Sequence, residues 1–180
     1  FIAYTMIGAV QKNVGSVNED FSFTNDIITN RIITVTKSGN NISDYNDLSG
    51  KKLAVVTDIA KAALDKNATI KNNNKNTLYP TIEDALSALD NGSVDAVITD
   101  EFNFSPLENA EKYQVLNGEL DKISYAFMFK KGDWVVENWN EAIYELKSPD
   151  YNDKDEFTPM VEKYFGYNAS SFDYVPSKTK

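Results

Sequence analysis

The chain contains no cysteine and no histidine. It has a single arginine, Arg31, and no apolar run near the roughly 18 residues of a membrane span. Each absence removes a class of function. Without cysteine there is no disulfide framework and no thiolate metal site. Without histidine the commonest general base is missing, and with it every histidine-dependent triad. One arginine cannot build a phosphate or carboxylate clamp of several guanidinium groups. The start, Phe1 to Met6, lacks the basic segment of a signal peptide. An absence of cysteine fits an exported bacterial protein.

What is present is acidic and apolar in good measure. The net charge is −9, which argues against nucleic acid or an anionic membrane surface as partner. Apolar residues make up 42% of the 180, ample for a core and too many for a disordered chain. An enzyme here would work through Asp, Glu, Lys or Tyr, so a binding module is the expected class. No catalytic residue, cofactor or metal is expected.

Strands alternate with helices through the middle. Leu53 to Val56 reads as a buried strand, and Asp58 caps a helix with Ile59, Ala62 and Ala63 on one side. The polar stretch 67–76 reads as a loop. Leu78-Tyr79 is a short strand stopped by Pro80. Thr81 to Asp84 resembles a capping box. Ile82, Ala85, Leu86 and Leu89 follow at i, i+3, i+4, i+7, and Gly92 ends that helix. Asp95 to Thr99 is a third strand, 102–110 a helix, and 113–116 a fourth strand. Parallel strands with crossover helices are the economical arrangement for 51–117. Ligands of such sheets bind beyond the carboxyl ends of the strands. Asp58 and Asp100 both lie there, each able to serve either as a helix cap or as a ligand contact.

The flanks differ. A strand at 32–37 leads into a polar segment, and 123–129 alternates Tyr125, Phe127 and Phe129 with Ala126 and Met128. A helix follows with Val136, Trp139, Ile143 and Leu146 on one stripe, Trp139 being a core residue. Thr158-Pro159 starts the last helix, with Val161, Tyr164 and Phe165 inward. The chain is thus expected as α/β in two lobes joined by a two-strand hinge. One lobe comprises 1–39 and 119–180. The other, 40–118, is inserted.

Several stretches carry a family resemblance. They are FTNDIITNRIITVTKSG (23–39), DYNDLSGKKLAVV (44–56), YPTIEDALSALDNGSVDAVITD (79–100), SYAFMFKKGDWVVENWNEAIYELK (124–147) and VEKYFG (161–166). In this order they resemble the bacterial extracellular solute-binding protein family 3. That family has the type II periplasmic binding fold and includes the amino-acid-binding proteins of ABC transporters. The G-x-V-D-A-V-x-x-D element at 92–100 is the most specific of them. Tyr4 to Val10 resembles a stretch halfway through the family's lobe 1, so lobe 1 is expected to be incomplete, with a homodimer as one consequence.

The resemblance implies Asp100 as the carboxylate that takes a ligand ammonium group. It also implies Thr57, Asp58, Gly8, Met6 and Asn25 as ligand-binding positions. Two departures stand out. The family's T-x-x-R arginine has no counterpart in 12–19, and Thr57-Asp58-Ile59 stands where the family has G-T-[ST]. Both anchors for a ligand carboxylate are therefore missing, and the expected ligand is a neutral or cationic amine or amino acid. The implied function is extracytoplasmic small-molecule binding. The chain would act as the ligand sensor of a membrane signalling protein or, alternatively, as the solute-binding component of an ABC amino-acid transporter working with its permease. An enzyme on this fold would have only Asp58, Asp100 and Glu101 to work with.

Overall fold

The computed structural model describes residues 5–12 and 17–165. The elements run β1 (Thr5–Gln11), α1 (Val17–Asp20), β2 (Phe21–Phe23), β3 (Ile28–Lys37), β4 (Lys52–Val56), α2 (Asp58–Lys66), α3 (Ala68–Asn73) and β5 (Lys75–Tyr79). They continue with α4 (Ile82–Asp90), β6 (Ala96–Asp100), α5 (Glu101–Phe104), β7 (Tyr113–Val115), β8 (Asp121–Lys130), α6 (Val135–Lys147) and α7 (Phe157–Phe165). Two compact units result. One joins the residues up to 29 with those from 123 onward, and the other comprises 30–122.

The 30–122 unit is built on a mixed sheet. β4 pairs in parallel with β5 on one side and β6 on the other. β3 then pairs antiparallel with β6, and β7 antiparallel with β3. Leu53 to Val56 and all five residues of β6 are buried, as expected of strands covered on both faces. On one face α4 lays down Ile82, Ala85, Leu86 and Leu89 against Ile33, Val35, Ala54, Val56 and Val97. Each large side chain so buried contributes about 1.5–3 kcal/mol. On α2 the N-cap is Thr57 and not Asp58 as expected, and Ala60, Ala63 and Leu64 are buried whereas Ala62, expected on the apolar side, is exposed.

Local chemistry sets the ends of α4. Thr81 Oγ1 accepts from the Asp84 backbone N–H at 3.1 Å, and Gly92 takes φ +79° just past the last turn.

Three further expectations are corrected within this unit. The stretch 67–76 holds a helix, α3, followed by the start of β5. Asn67 Oδ1 caps it by accepting from the Ile70 N–H at 3.2 Å, and Ile70 supplies a buried anchor. Caps and one apolar contact suffice for a short helix that shows no amphipathic period. Second, the helix expected over 102–110 stops at Phe104. Pro106 has no N–H to continue the ladder. Third, the strand at 113–115 pairs with β3, leaving three parallel strands.

In the other unit β8 pairs antiparallel with β1 and with β2. Met6 stands opposite Met128 and Val10 opposite Ala126, so four steps along β1 match two along β8. The two extra residues make a bulge that contains Gly8, a usual place for glycine. Trp139 of α6 packs edge-on against Phe127 at 4.8 Å and lies 5.9 Å from Phe129. Ile143, Phe157 and Val161 are buried, but Tyr164 is 72% exposed, against the inward position expected for it. It lies in the last turn of α7 under the Lys163 ammonium, 5.1 Å from the ring.

Candidate functional site

The carboxyl end of the parallel strands gathers four of the chemically distinctive side chains. The register pairs Val55 with Ile98, so Thr57 follows the end of β4 where the neighbouring β6 ends on Asp100. Thr57 leads into α2 and Asp100 into α5.

Thr57 is held at φ 71° and ψ 148°, a conformation that costs an L-residue about 1–3 kcal/mol. Its hydroxyl oxygen accepts from the Ala60 N–H at 3.2 Å, closing the first turn of α2. Asp58 is the first residue of that helix and is exposed. Its carboxylate sits where the helix dipole favours negative charge.

Asp100 is 1% exposed and is the N-cap of α5. Its Oδ1 accepts from the Asn30 side chain at 3.0 Å and from the Asn103 backbone N–H at 3.3 Å. Its Oδ2 accepts from the Asn103 side chain at 2.7 Å. A carboxylate offers about four acceptor positions, so one remains on Oδ2 after these three bonds. Asn30 in turn accepts from the Phe102 N–H at 3.2 Å, so its amide bridges β3 to the first turn of α5.

Glu101 is also buried, at 5% exposure, and takes the only arginine of the chain. Arg31 Nε donates to one Glu101 oxygen at 2.8 Å and Nη2 to the other. Burial pushes the Glu101 carboxyl above its ordinary range, Arg31 pulls it down, and the Glu119 charge adds to the rise. Thus Asn30 and Arg31, adjacent on β3, latch Asp100 and Glu101, adjacent at the end of β6.

The remaining expected positions lie in the other unit. The Asn25 N–H donates to Asn140 Oδ1 at 2.6 Å, and the Asn25 carbonyl accepts from Thr24 Oγ1 at 2.8 Å. Met6 and Gly8 are on β1, at and within its bulge. Beside Asn25, Asp26 is ion-paired with Lys12 at 2.8 Å. Burial tends to raise the Asp26 pKa, but hydrogen bonds from Lys12 and Ser124 and the charges of Lys12 and Lys147 outweigh it, so the net shift is down. Lys147, 4% exposed, donates to the Asp26 carbonyl at 2.8 Å and lies over the Phe157 ring at 4.8 Å.

Sequence reasoning singled out Thr57, Asp58 and Asp100 at the strand ends. It missed Asn30, Asn103 and the Arg31–Glu101 pair. Arg31 was conspicuous as the sole arginine, but nothing local joins it to a residue 70 positions away. Among the described residues no group of three or more acidic side chains could hold a metal ion, and no helix is long and apolar enough to cross a membrane.

No protein-family model matches the chain, and neither does any curated protein. Solved structures do match. The second substrate-binding domain assigned to an amino-acid ABC transporter of Streptococcus pneumoniae is similar at 25% identity and TM-score 0.66, over 88% of this chain and 70% of that one. A substrate-binding protein of a polar amino acid ABC uptake transporter from Streptococcus thermophilus gives 22% and 0.68, over 87% and 61%. A substrate-binding protein of an ABC uptake transporter from Streptococcus pneumoniae with bound histidine gives 25% and 0.58, over 89% and 66%. The chain therefore spans 61 to 70% of the length of these three. Its fold is that of the type II periplasmic binding proteins, and it resembles the family 3 solute-binding proteins.

Proposed function

We propose that this chain is part of an extracytoplasmic domain that binds a small amino acid or amine, with Asp100 as the contact for the ligand ammonium group. The supporting observation is the open acceptor position on Asp100 Oδ2, on a carboxylate whose other lone pairs are held by Asn30 and Asn103. A carboxylate oriented in advance loses little on binding a cation, and a charge-assisted bond in a dry setting is strong. Thr57, just past the end of the neighbouring strand β4, contributes polar backbone at the same sheet end. Glu101 is neutralised by Arg31, so at the end of β6 the uncompensated negative charge is that of Asp100. With Asp58 rather than small neutral residues at the start of α2, a ligand carboxylate is disfavoured there. A neutral or cationic amine, or a cationic amino acid, fits better. Asn25, Met6 and Gly8 are proposed as ligand-binding positions on the family resemblance alone.

This is a binding role, in keeping with the solute-binding proteins of the same fold. Those neighbours favour service to an ABC transporter and its membrane permease. The departure at 57–59 favours a second reading, the ligand-sensing domain of a membrane signalling protein.

The test is a thermal-shift titration with L-arginine, L-lysine, L-histidine, L-glutamate and simple diamines. Ligand at a hundredfold above Kd should add about 2.7 kcal/mol. Cationic amino acids or diamines are expected to raise the melting temperature and L-glutamate is not, with the gain lost in Asp100→Asn. No response to any of them, or an undiminished response in Asp100→Asn, would remove the proposal.

A further inference from the structure

The outer face of α6 carries charge of one sign. At 100° per residue, Trp134, Glu137, Glu141 and Glu145 fall within about 80° of arc. Trp139, Ile143 and Lys147 lie on the opposite side, Ile143 and Lys147 buried there. All three glutamates are exposed, and among the described residues none has a side-chain hydrogen bond or ion pair. No lysine or arginine of α6 itself shares their face. Like charges at i, i+4 weaken a helix, and a glutamate in the last turn opposes the helix dipole. A face that only meets water gains nothing from this pattern, since mixed signs serve solubility as well. A positive partner would relieve it.

An open groove of about 540 Å³ adjoins the amino-terminal end of this stripe. Phe21, Phe23, Trp134 and Val136 supply its apolar walls, with Lys131 and Glu137 among its polar ones. Trp134 is 75% exposed and Phe21 37%. The Gly132 N–H donates to Ser22 Oγ at 3.0 Å, which ties the turn before α6 to β2 and keeps the groove formed without a guest. An exposed tryptophan beside a formed groove is the kind of anchor on which protein–protein affinity concentrates.

We infer that this face docks a lysine- or arginine-rich helical segment of a partner protein. An aliphatic or aromatic side chain of that segment sits between Phe21 and Trp134, and its basic residues stand opposite Glu137, Glu141 and Glu145. The charges choose this occupant. A second copy, at net charge −9, would set glutamates against glutamates, and an anionic lipid surface would be repelled likewise. From Trp134 to Glu145 the face runs about 16 Å, three turns of a partner helix laid along it.

The probe is an amphipathic 18-residue peptide with a leucine followed by lysines at helical spacing, titrated into the intact protein by calorimetry at two salt concentrations. The combined variant Glu137→Gln, Glu141→Gln, Glu145→Gln is expected to weaken binding at least tenfold and flatten its salt dependence. Trp134→Ala is expected to weaken it about tenfold with the salt dependence kept. Removing like-charge repulsion should leave the triple variant melting no lower than the parent, so lost binding is not lost folding. A control triple in the other unit, Glu83→Gln, Asp84→Asn, Glu108→Gln, should bind as the parent does. The inference is overturned if the peptide does not bind, if the control triple weakens binding as much, if Trp134→Ala has no effect, or if a glutamate-for-lysine peptide binds equally.

Discussion

Asn30 and Asp100 lie 70 residues apart, yet the Asn30 amide donates to Asp100 Oδ1 at 3.0 Å and its carbonyl oxygen accepts from the Phe102 N–H. One side chain on β3 therefore fixes both the direction of the carboxylate and the start of α5. Next to it, Arg31 fixes the direction of the Glu101 carboxylate. Stability and ligand affinity can be separated at this pair of latches.

Asp100→Ala should cost the unliganded protein about 2–3 kcal/mol, seen as a lower urea midpoint with an unchanged slope. It removes a helix cap and leaves the buried Asn30 amide without its acceptor. Asp100→Asn keeps an acceptor for Asn30 and the Asn103 N–H, and the exposed Asn103 side chain can turn to accept from the new amide. Its apo stability should fall by less than about 1 kcal/mol. A larger drop for Asn than for Ala would contradict this hydrogen-bond geometry.

Arg31→Met should destabilise by about 2–4 kcal/mol at neutral pH, because it strands Glu101 in a buried position. Burial already holds the Glu101 carboxyl above its ordinary range, and losing Arg31 raises it further. A raised folded-state pKa means that the folded chain binds the proton more tightly than the unfolded one. The contribution to stability is therefore fully present below the unfolded pKa and lost as pH rises through the folded pKa. Hence the deficit of Arg31→Met should shrink on acidification into the carboxylate range. Adding Glu101→Gln should recover much of it at neutral pH. Chemical denaturation of parent, single and double variants at two pH values checks this.

Asp26 has the opposite sign. Its folded pKa is lowered, so its contribution is present above the unfolded value of 3.8 and lost as pH falls through the folded value. Asp26→Asn should flatten the acid limb of the stability profile. Lys147→Met removes a buried donor to the Asp26 carbonyl and should cost about 1–3 kcal/mol. An acid melting series on the three proteins would show whether the acid limb belongs to this pair.

Thr57 sets conformation against capping. Thr57→Gly should relieve the positive φ while losing only a few tenths of a kcal/mol of capping, offset in part by the freer unfolded chain. The expected net change is a gain of up to about 1 kcal/mol. Thr57→Ala keeps the strain, loses the hydroxyl, and should cost about 1 kcal/mol. Thermal melts that rank Ala above Gly would refute the assignment of strain to this residue.

Much of the architecture was legible locally. The 3.6-residue spacing of Ile82, Ala85, Leu86 and Leu89, the Thr81 cap and Gly92 determine α4 by themselves, because burial and capping act within a dozen residues. The apolar runs at 53–56 and 96–98 likewise mark strands, and Asp100 at the end of one marks a strand terminus. Three things were decided only in the folded molecule: that β7 pairs with β3, that Asn67 and Ile70 together make α3, and that Tyr164 stays in water. Strand pairing and burial depend on what arrives from elsewhere in the chain, and a local pattern carries no record of it. The same holds for the site. The sequence supplied a carboxylate and one arginine, but only the antiparallel register of β3 with β6 joined Arg31 to Glu101 and aimed Asp100 through Asn30. Hydrogen bonds that span 70 residues are made by tertiary geometry, and no spacing along the chain encodes them.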